Sequence, residues 1–259
     1  RVVRWLTPVM LTGAPLVSCQ LPELPLESHA FSHSRLQLRI DEHPGRLRIT
    51  AAAPDIGGQP LQVALDIQRP AHLQSVNLIA PLQHGGFHAT FGSLQLGGKH
   101  YSCVPGQSFA ALDFGRGAWP LNTYWQRAAF AAAGGIAGNF GAGWLDHSGL
   151  SENSLWFGGK VQLLDSPLHI ERSSQAPLAP WRLDSEDDCV ALRFTPRQLH
   201  KVCPNSALHA STVQRFGHYQ GVLRGPKGER VPVDGALGWP GDTLSLIHIS
   251  DGAREACRS

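Results

Sequence analysis

A chain of 259 residues with 42% hydrophobic and 16% charged side chains has the composition of a globular protein, of one large domain or two ordinary ones, and not of a disordered one. Twenty-two basic against 20 acidic residues leave a formal charge of +2, which argues against a nucleic-acid binder whose affinity rests on neutralising phosphates. No run reaches the roughly eighteen apolar residues of a membrane-spanning helix, and 28 glycines with 19 prolines leave little room for long helices.

Taken in chain order, the apolar periodicity is that of strands. Leu36-Gln37-Leu38-Arg39-Ile40 and Arg46-Leu47-Arg48-Ile49-Thr50 alternate on either side of His43-Pro44-Gly45 and predict a hairpin. Leu61 to Ile67 adds a strand, and Phe87 to Leu96 predicts a further strand pair before Gly97-Gly98. Leu121 to Ala133 and Arg197 to Leu208 are open to a helical reading. Pro204 interrupts the second, and in the first Thr123, Tyr124 and Trp125 precede small residues that suit closely packed strands, so it is read as strand. Trp156-Phe157 and Lys160 to Leu164 flank Gly158-Gly159, a two-residue loop that needs positive φ. Val190 to Phe194 follows, and Gly221 to Arg224 is joined to Arg230 to Val233 by Gly225-Pro226-Lys227-Gly228. Many short strands without an intervening helical pattern predict an all-β sandwich or barrel.

The five cysteines form no C-x-x-C pair, and neither a metal nor another cofactor is expected. Cys189 and Cys203 are either a disulfide or, in the commoner role, buried apolar thiols. Walker, G-x-G-x-x-G and G-x-S-x-G patterns in their proper context are absent. The chain opens with Arg1 and its one methionine is Met10, so a native start further upstream is expected, and the compartment is left open with the cytoplasm as default. Leu244 to Ser250 is, residue for residue, the translation of the mosaic end of a transposase-based sequencing adapter. Residues 244–259 are therefore expected to be a non-native tail; the other reading is a genuine apolar strand.

The middle of the chain is densest in unusual residues. Leu112-Asp113-Phe114-Gly115-Arg116-Gly117-Ala118-Trp119-Pro120 sets an acid and an arginine three apart among glycines. Asn139 to Trp156 follows, with Ser151-Glu152-Asn153-Ser154-Leu155-Trp156 at its end, then Pro180-Trp181-Arg182 and Gln214-Arg215-Phe216-Gly217-His218-Tyr219-Gln220-Gly221. These four ordered blocks resemble the bacterial family of unknown function DUF2804, which carries D-x-G-R-G-x-W-P, T/S-E-N-x-L-W/F, P-W-R/K and Q-x-F-G-x-F-x-G over the stretch corresponding to about residues 75 to 239. The resemblance implies a longer region upstream of the one present. More distantly, the pattern is similar to the lipocalin-like two-barrel proteins related to carotenoid hydratases and tocopherol cyclases. The expected architecture is two lipocalin-like antiparallel β-barrel halves: a partial one over 1–112, a second over 113–243, and the tail over 244–259.

Asp113 and Arg116 either close a turn as a bidentate ion pair or face a cavity as acid and anion holder. Glu152 with Asp146 supplies two carboxylates, either solvated or fit for acid–base work if burial raises one pKa. Asp113, Arg116, Asp146 and Glu152 are the candidate catalytic residues. Asn139, Asn153 and His218, with Trp119, Trp125, Trp156 and Trp181 drawn from seven tryptophans, are candidate ligand-binding residues or core. The blocks are expected to converge in space, with Arg116 as hub. The partner this predicts is an apolar or lipid-like small molecule. An acid–base enzyme acting on such a molecule, or a structural module, are the alternatives.

Overall fold

The alternating segments form antiparallel sheets. The computed structural model describes residues 28–69, 76–79, 82–104, 108–116, 123–143, 145, 150–173, 176–202 and 209–246. They fall in two units, Arg1–Arg116 and Gly117–Ser259.

The first unit contains β1 (His29–His33), β2 (Leu36–His43), β3 (Arg46–Ala53), β4 (Leu61–Gln68), β5 (Val76–Ile79), β6 (Leu82–Leu96), β7 (Lys99–Cys103) and β8 (Phe109–Arg116). The sheet order is β1-β2-β3-β4-β6-β5, with β7 and β8 also paired to β6. The expected hairpin is β2–β3: His43 pairs with Arg46, and Gly45 takes the positive φ of 71° that the turn requires. The strand pair expected from Phe87 to Leu96 is instead the greater part of one continuous strand, β6. Gly92, within that segment, stands in the ladder with Leu65 on one side and Cys103 on the other, and pairing on both sides keeps it extended. Phe31, Leu36, Ala53, Ile56 and Leu61 form this unit's larger apolar cluster, and Leu47 with Ile67 a smaller one.

The second unit contains β9 (Thr123–Ala132), a single 3-10 turn (Ala133–Gly135), β10 (Ile136–Ala142), β11 (Ser154–Phe157), β12 (Lys160–Leu163), β13 (Leu168–Glu171), β14 (Trp181–Ser185), β15 (Val190–Val202), β16 (His209–Arg224) and β17 (Arg230–Leu246). Both segments open to a helical reading thus enter strands, β9 and β15. The nine strands run β12-β11-β10-β9-β17-β16-β15-β14-β13, in a sheet curled so that β10 and β13 approach each other. Phe130, Phe140, Leu155, Trp181, Leu183, Phe194 and Tyr219 fill its inner face, each large apolar side chain contributing roughly 1.5–3 kcal/mol by burial. The Tyr219 ring lies 5.3 Å from that of Phe130 and 4.8 Å from that of Phe194. Gly138 leaves room for this packing, since a Cβ there would stand 2.6 Å from Phe130 and 2.7 Å from Phe140.

Cys189 is a buried free thiol, and Cys203 lies outside the described residues. β17 continues through Leu246, with Leu244 opposite Tyr124 and Ser245 opposite Thr123. A non-native origin for 244–259 stays a proposal, because a Leu-Ser-Leu stretch alternates and pairs with an open neighbour whatever its source.

Candidate functional site

Strand parity decides which polar residues face inward. On β9, Tyr124 and Gln126 share a row with the core residues Ala128 and Phe130, and Asp242 of β17 stands opposite Gln126. Ile170 of β13 packs on the same core, and Arg172 is two residues further along that row. Trp181, opposite Phe194, completes this end of the inner face.

Asp242 is the centre of a polar cluster there, only 6% exposed. Its Oδ1 accepts from Tyr124 Oη at 2.8 Å, Arg172 Nε at 3.1 Å and Gln126 Nε2 at 3.3 Å. Its Oδ2 accepts from Arg215 Nη1 at 3.0 Å, and Arg215 Nε donates to the Pro177 carbonyl at 2.8 Å. Both guanidiniums lie over Trp181, that of Arg215 at 4.9 Å and that of Arg172 at 5.7 Å from the ring centroid. Burial lowers the Arg215 pKa despite the Asp242 carboxylate, without threatening the charge of a guanidinium. Burial disfavours the Arg172 cation too, but Asp242 and Tyr124 outweigh it and raise its pKa. Tyr124 holds its proton more tightly than a free phenol, first through burial and then through the carboxylate that accepts its hydrogen bond. Tyr124, Gln126, Ile170, Arg172, Ser173 and Pro180 line an open cleft of about 680 Å³. The cluster can hold a polar group at the cleft wall and donate hydrogen bonds to it.

A second cluster lies on the other row of β9 and β10. Gly141 stands opposite Arg127, and Asn139 opposite Ala129 and Ser154. Glu152, 2% exposed, lies over Gly141. Its Oε2 meets Arg127 Nη2 at 3.1 Å and Asn139 Nδ2 at 3.2 Å, and the same Asn139 amide reaches the Glu152 carbonyl at 3.1 Å. Asn153 Oδ1 accepts from Gly141 N at 2.7 Å. These bonds pin the connection between β10 and β11 onto the sheet. A partly enclosed cavity of about 460 Å³ borders it, lined by Gly141, Leu150, Glu152, Asp165, Leu168 and His169 among others. Among the described residues no group of three His, Cys, Asp or Glu side chains is disposed as metal ligands.

Of the residues singled out in the sequence, Asn139, Glu152 and Asn153 meet in this second cluster. Trp156 is buried opposite Ala137, and Trp125 stands opposite Thr243. Trp181 belongs to the inner face with Arg172 and Arg215. His218 Nδ1 lies 3.1 Å from the Gly235 carbonyl, and the residue opposite it, Leu237, is 59% exposed. Asp113 and Arg116 stand on β8, opposite Gly85 and Leu82 of β6, in the first unit; their side chains, and Trp119 and Asp146 altogether, lie outside the described residues. The sequence reading named Tyr124 and Arg215 within conspicuous stretches but not as site residues, and did not name Gln126, Arg127, Arg172 or Asp242. The available signal was parity: Tyr124 and Gln126 fall in register with the apolar row of their own strand.

Residues 4–243 match the model of a family described as Domain of unknown function (DUF2804). Among solved structures, the chain is similar to CghA, crystallised with Sch210972, at 12% identity over 89% of this chain and 73% of that chain, with a TM-score of 0.50. It is also similar to kievitone hydratase from Nectria haematococca, at 11% identity over 81% of this chain and 83% of that one, with a TM-score of 0.44. At such identities the likeness concerns the fold alone. No curated protein matches the chain.

Proposed function

The chain belongs to the DUF2804 family, and we propose that it binds an amphipathic small molecule at the open end of the inner face of its second unit. One observation carries this reading: the cluster around Asp242 walls a cleft that also presents Ile170 and Pro180. Two guanidiniums sharing one carboxylate are costly to hold in a core, where apolar residues of similar volume are often as stabilising or more so. Convergent polar groups beside apolar ones at a concave surface are what ligand binding requires.

Titration with the neutral apolar probe N-phenyl-1-naphthylamine tests the reading. Saturable fluorescence enhancement is expected for the wild type, and its loss in Ser173→Trp, which fills the cleft from an exposed position. No saturable signal, or a signal unchanged by Ser173→Trp, would overturn it.

Tyr124 favours a second reading, an acid–base enzyme of the hydratase, cyclase or isomerase kind. Its phenol stands at the cleft wall 2.8 Å from the Asp242 carboxylate, an arrangement through which a proton can be relayed to or from a bound molecule. Under this reading Asp113, Arg116, Asp146 and Glu152 remain proposed acid–base groups. Incorporation of solvent deuterium into a bound molecule, absent in Tyr124→Phe, would favour catalysis over simple binding.

A further inference from the structure

We propose that the polar end of the bound molecule is a carboxylate, taken by the guanidinium of Arg172; this rests on the binding reading above and names the ligand class for the same cleft. Charge bookkeeping is the first ground. Arg172 and Arg215 carry two positive charges against the one of Asp242, so the cluster holds a surplus of +1. The other charged groups on the cleft do not remove it. On the neighbouring row Glu171 and Asp184 are balanced by Arg182 and Arg193, Arg182 standing opposite both Glu171 and Arg193 and meeting Asp184 through Nε at 2.6 Å.

Geometry selects which arginine is offered. Arg215 is 5% exposed and is held at two positions, Nε by Pro177 and Nη1 by Asp242. Arg172 binds Asp242 through Nε alone, while its side chain keeps 25% of its surface and lines the cleft. Five donors less this one leave N–H groups for a ligand. Asp242 Oδ1 already takes three hydrogen bonds, that from Arg172 Nε among them, so it has little capacity left for a second N–H of Arg172. Tyr124 Oη donates to the same Asp242 Oδ1 that Arg172 Nε binds, and so is a positioning residue for the guanidinium, as is Trp181 beneath it.

Charge and shape then select the anion. A monoanion neutralises the surplus, whereas a phosphate dianion would bring excess negative charge beside buried Asp242. A planar carboxylate also matches the planar guanidinium edge, which a tetrahedral group does less well. Ile170 and Pro180 provide apolar contact for the remainder of the molecule.

Calorimetric titration of the full chain with octanoate, octan-1-ol and octyl phosphate tests this. Octanoate is expected to bind at least tenfold more tightly than either of the others. Arg172→Gln should abolish that preference, and Arg172→Lys, which keeps the charge but not the planar fork, should reduce it, with circular dichroism and the melting temperature showing that the fold is kept. Should Arg172→Gln fail to fold, the Arg172→Lys comparison and the wild-type ranking decide the matter. Octan-1-ol binding as tightly as octanoate, octyl phosphate binding more tightly, or a preference that survives both substitutions would overturn the carboxylate assignment and leave the cleft a binding site. If none of the three binds and N-phenyl-1-naphthylamine does not bind either, the binding reading itself fails, and this inference with it.

Discussion

Glu152 occupies the space that a side chain on Gly141 would need. A Cβ built on Gly141 collides with Glu152 Oε1 and stands 2.7 Å from its carboxyl carbon. The carboxylate cannot swing clear cheaply, because Arg127 and Asn139 hold it from the sheet below. Gly141→Ala is therefore expected to cost about 1–3 kcal/mol through overpacking. Glu152→Ala is expected to cost about 1–3 kcal/mol, because it removes a buried carboxylate that accepts from Arg127 and Asn139. In the double mutant the Gly141→Ala increment should nearly vanish, since the colliding group is gone. Urea denaturation of the four proteins measures this; strictly additive losses would show that the two residues do not compete for the same space.

Removing the charge of Asp242 should be among the most damaging changes in the second unit. Asp242→Asn keeps the shape of the side chain but leaves Arg172 and Arg215 close together with no counter-ion, and a loss of about 3–5 kcal/mol is expected. Arg172→Gln should be milder, because a quarter of the Arg172 side chain is in solvent and Arg215 still pairs with Asp242. Equal losses for the two variants in urea would contradict this account.

How much of this was legible beforehand differs between fold and site. Hairpins such as β2–β3 and β11–β12 declare themselves because alternation and a glycine turn are local signals. The single long β6 does not, since the neighbours that keep Gly92 extended are remote in sequence. The Glu152 cluster was half visible: Asn139, Glu152 and Asn153 lie within one conspicuous stretch. The Asp242 cluster was hidden because its bond to Tyr124 spans 118 residues, and periodicity does not say which strands become neighbours.

Acid should reveal the turn between β14 and β15. Hydrogen bonds from Ser185 Oγ at 2.6 Å and the Cys189 amide at 3.1 Å hold the Asp187 pKa down at about 2 against an ordinary 3.8. A depressed carboxylate stabilises the folded state above its unfolded-state pKa, and that contribution disappears as pH falls from about 4 through about 2. Exposure of Asp187 screens it to on the order of 1 kcal/mol. Asp187→Asn should be less stable than wild type at neutral pH and nearly equal to it at the acid end. A difference independent of pH would sink the assignment.

Tyr219→Phe should be neutral or stabilising by up to about 2 kcal/mol. The Tyr219 side chain is fully buried, burial pushes its pKa up, and its hydroxyl has no hydrogen-bond partner among the described residues. An unsatisfied buried hydroxyl costs stability that a phenyl ring in the same place does not. A lowered melting temperature for Tyr219→Phe would mean that the hydroxyl is satisfied after all.

The position of β17 bears on how the second unit comes together. It lies between β9 and β16, pairing with both, although β9 precedes it by some hundred residues of chain. Until β17 emerges from the ribosome, β9–β12 and β13–β16 have no strand to join them, and each group waits with one face of apolar side chains uncovered. Assembly is thereby postponed to a late closure of distant segments, the kind of step that makes β proteins slow to fold and liable to aggregate while they wait. Yield on expression should accordingly depend on synthesis rate and temperature more than equilibrium stability alone would suggest.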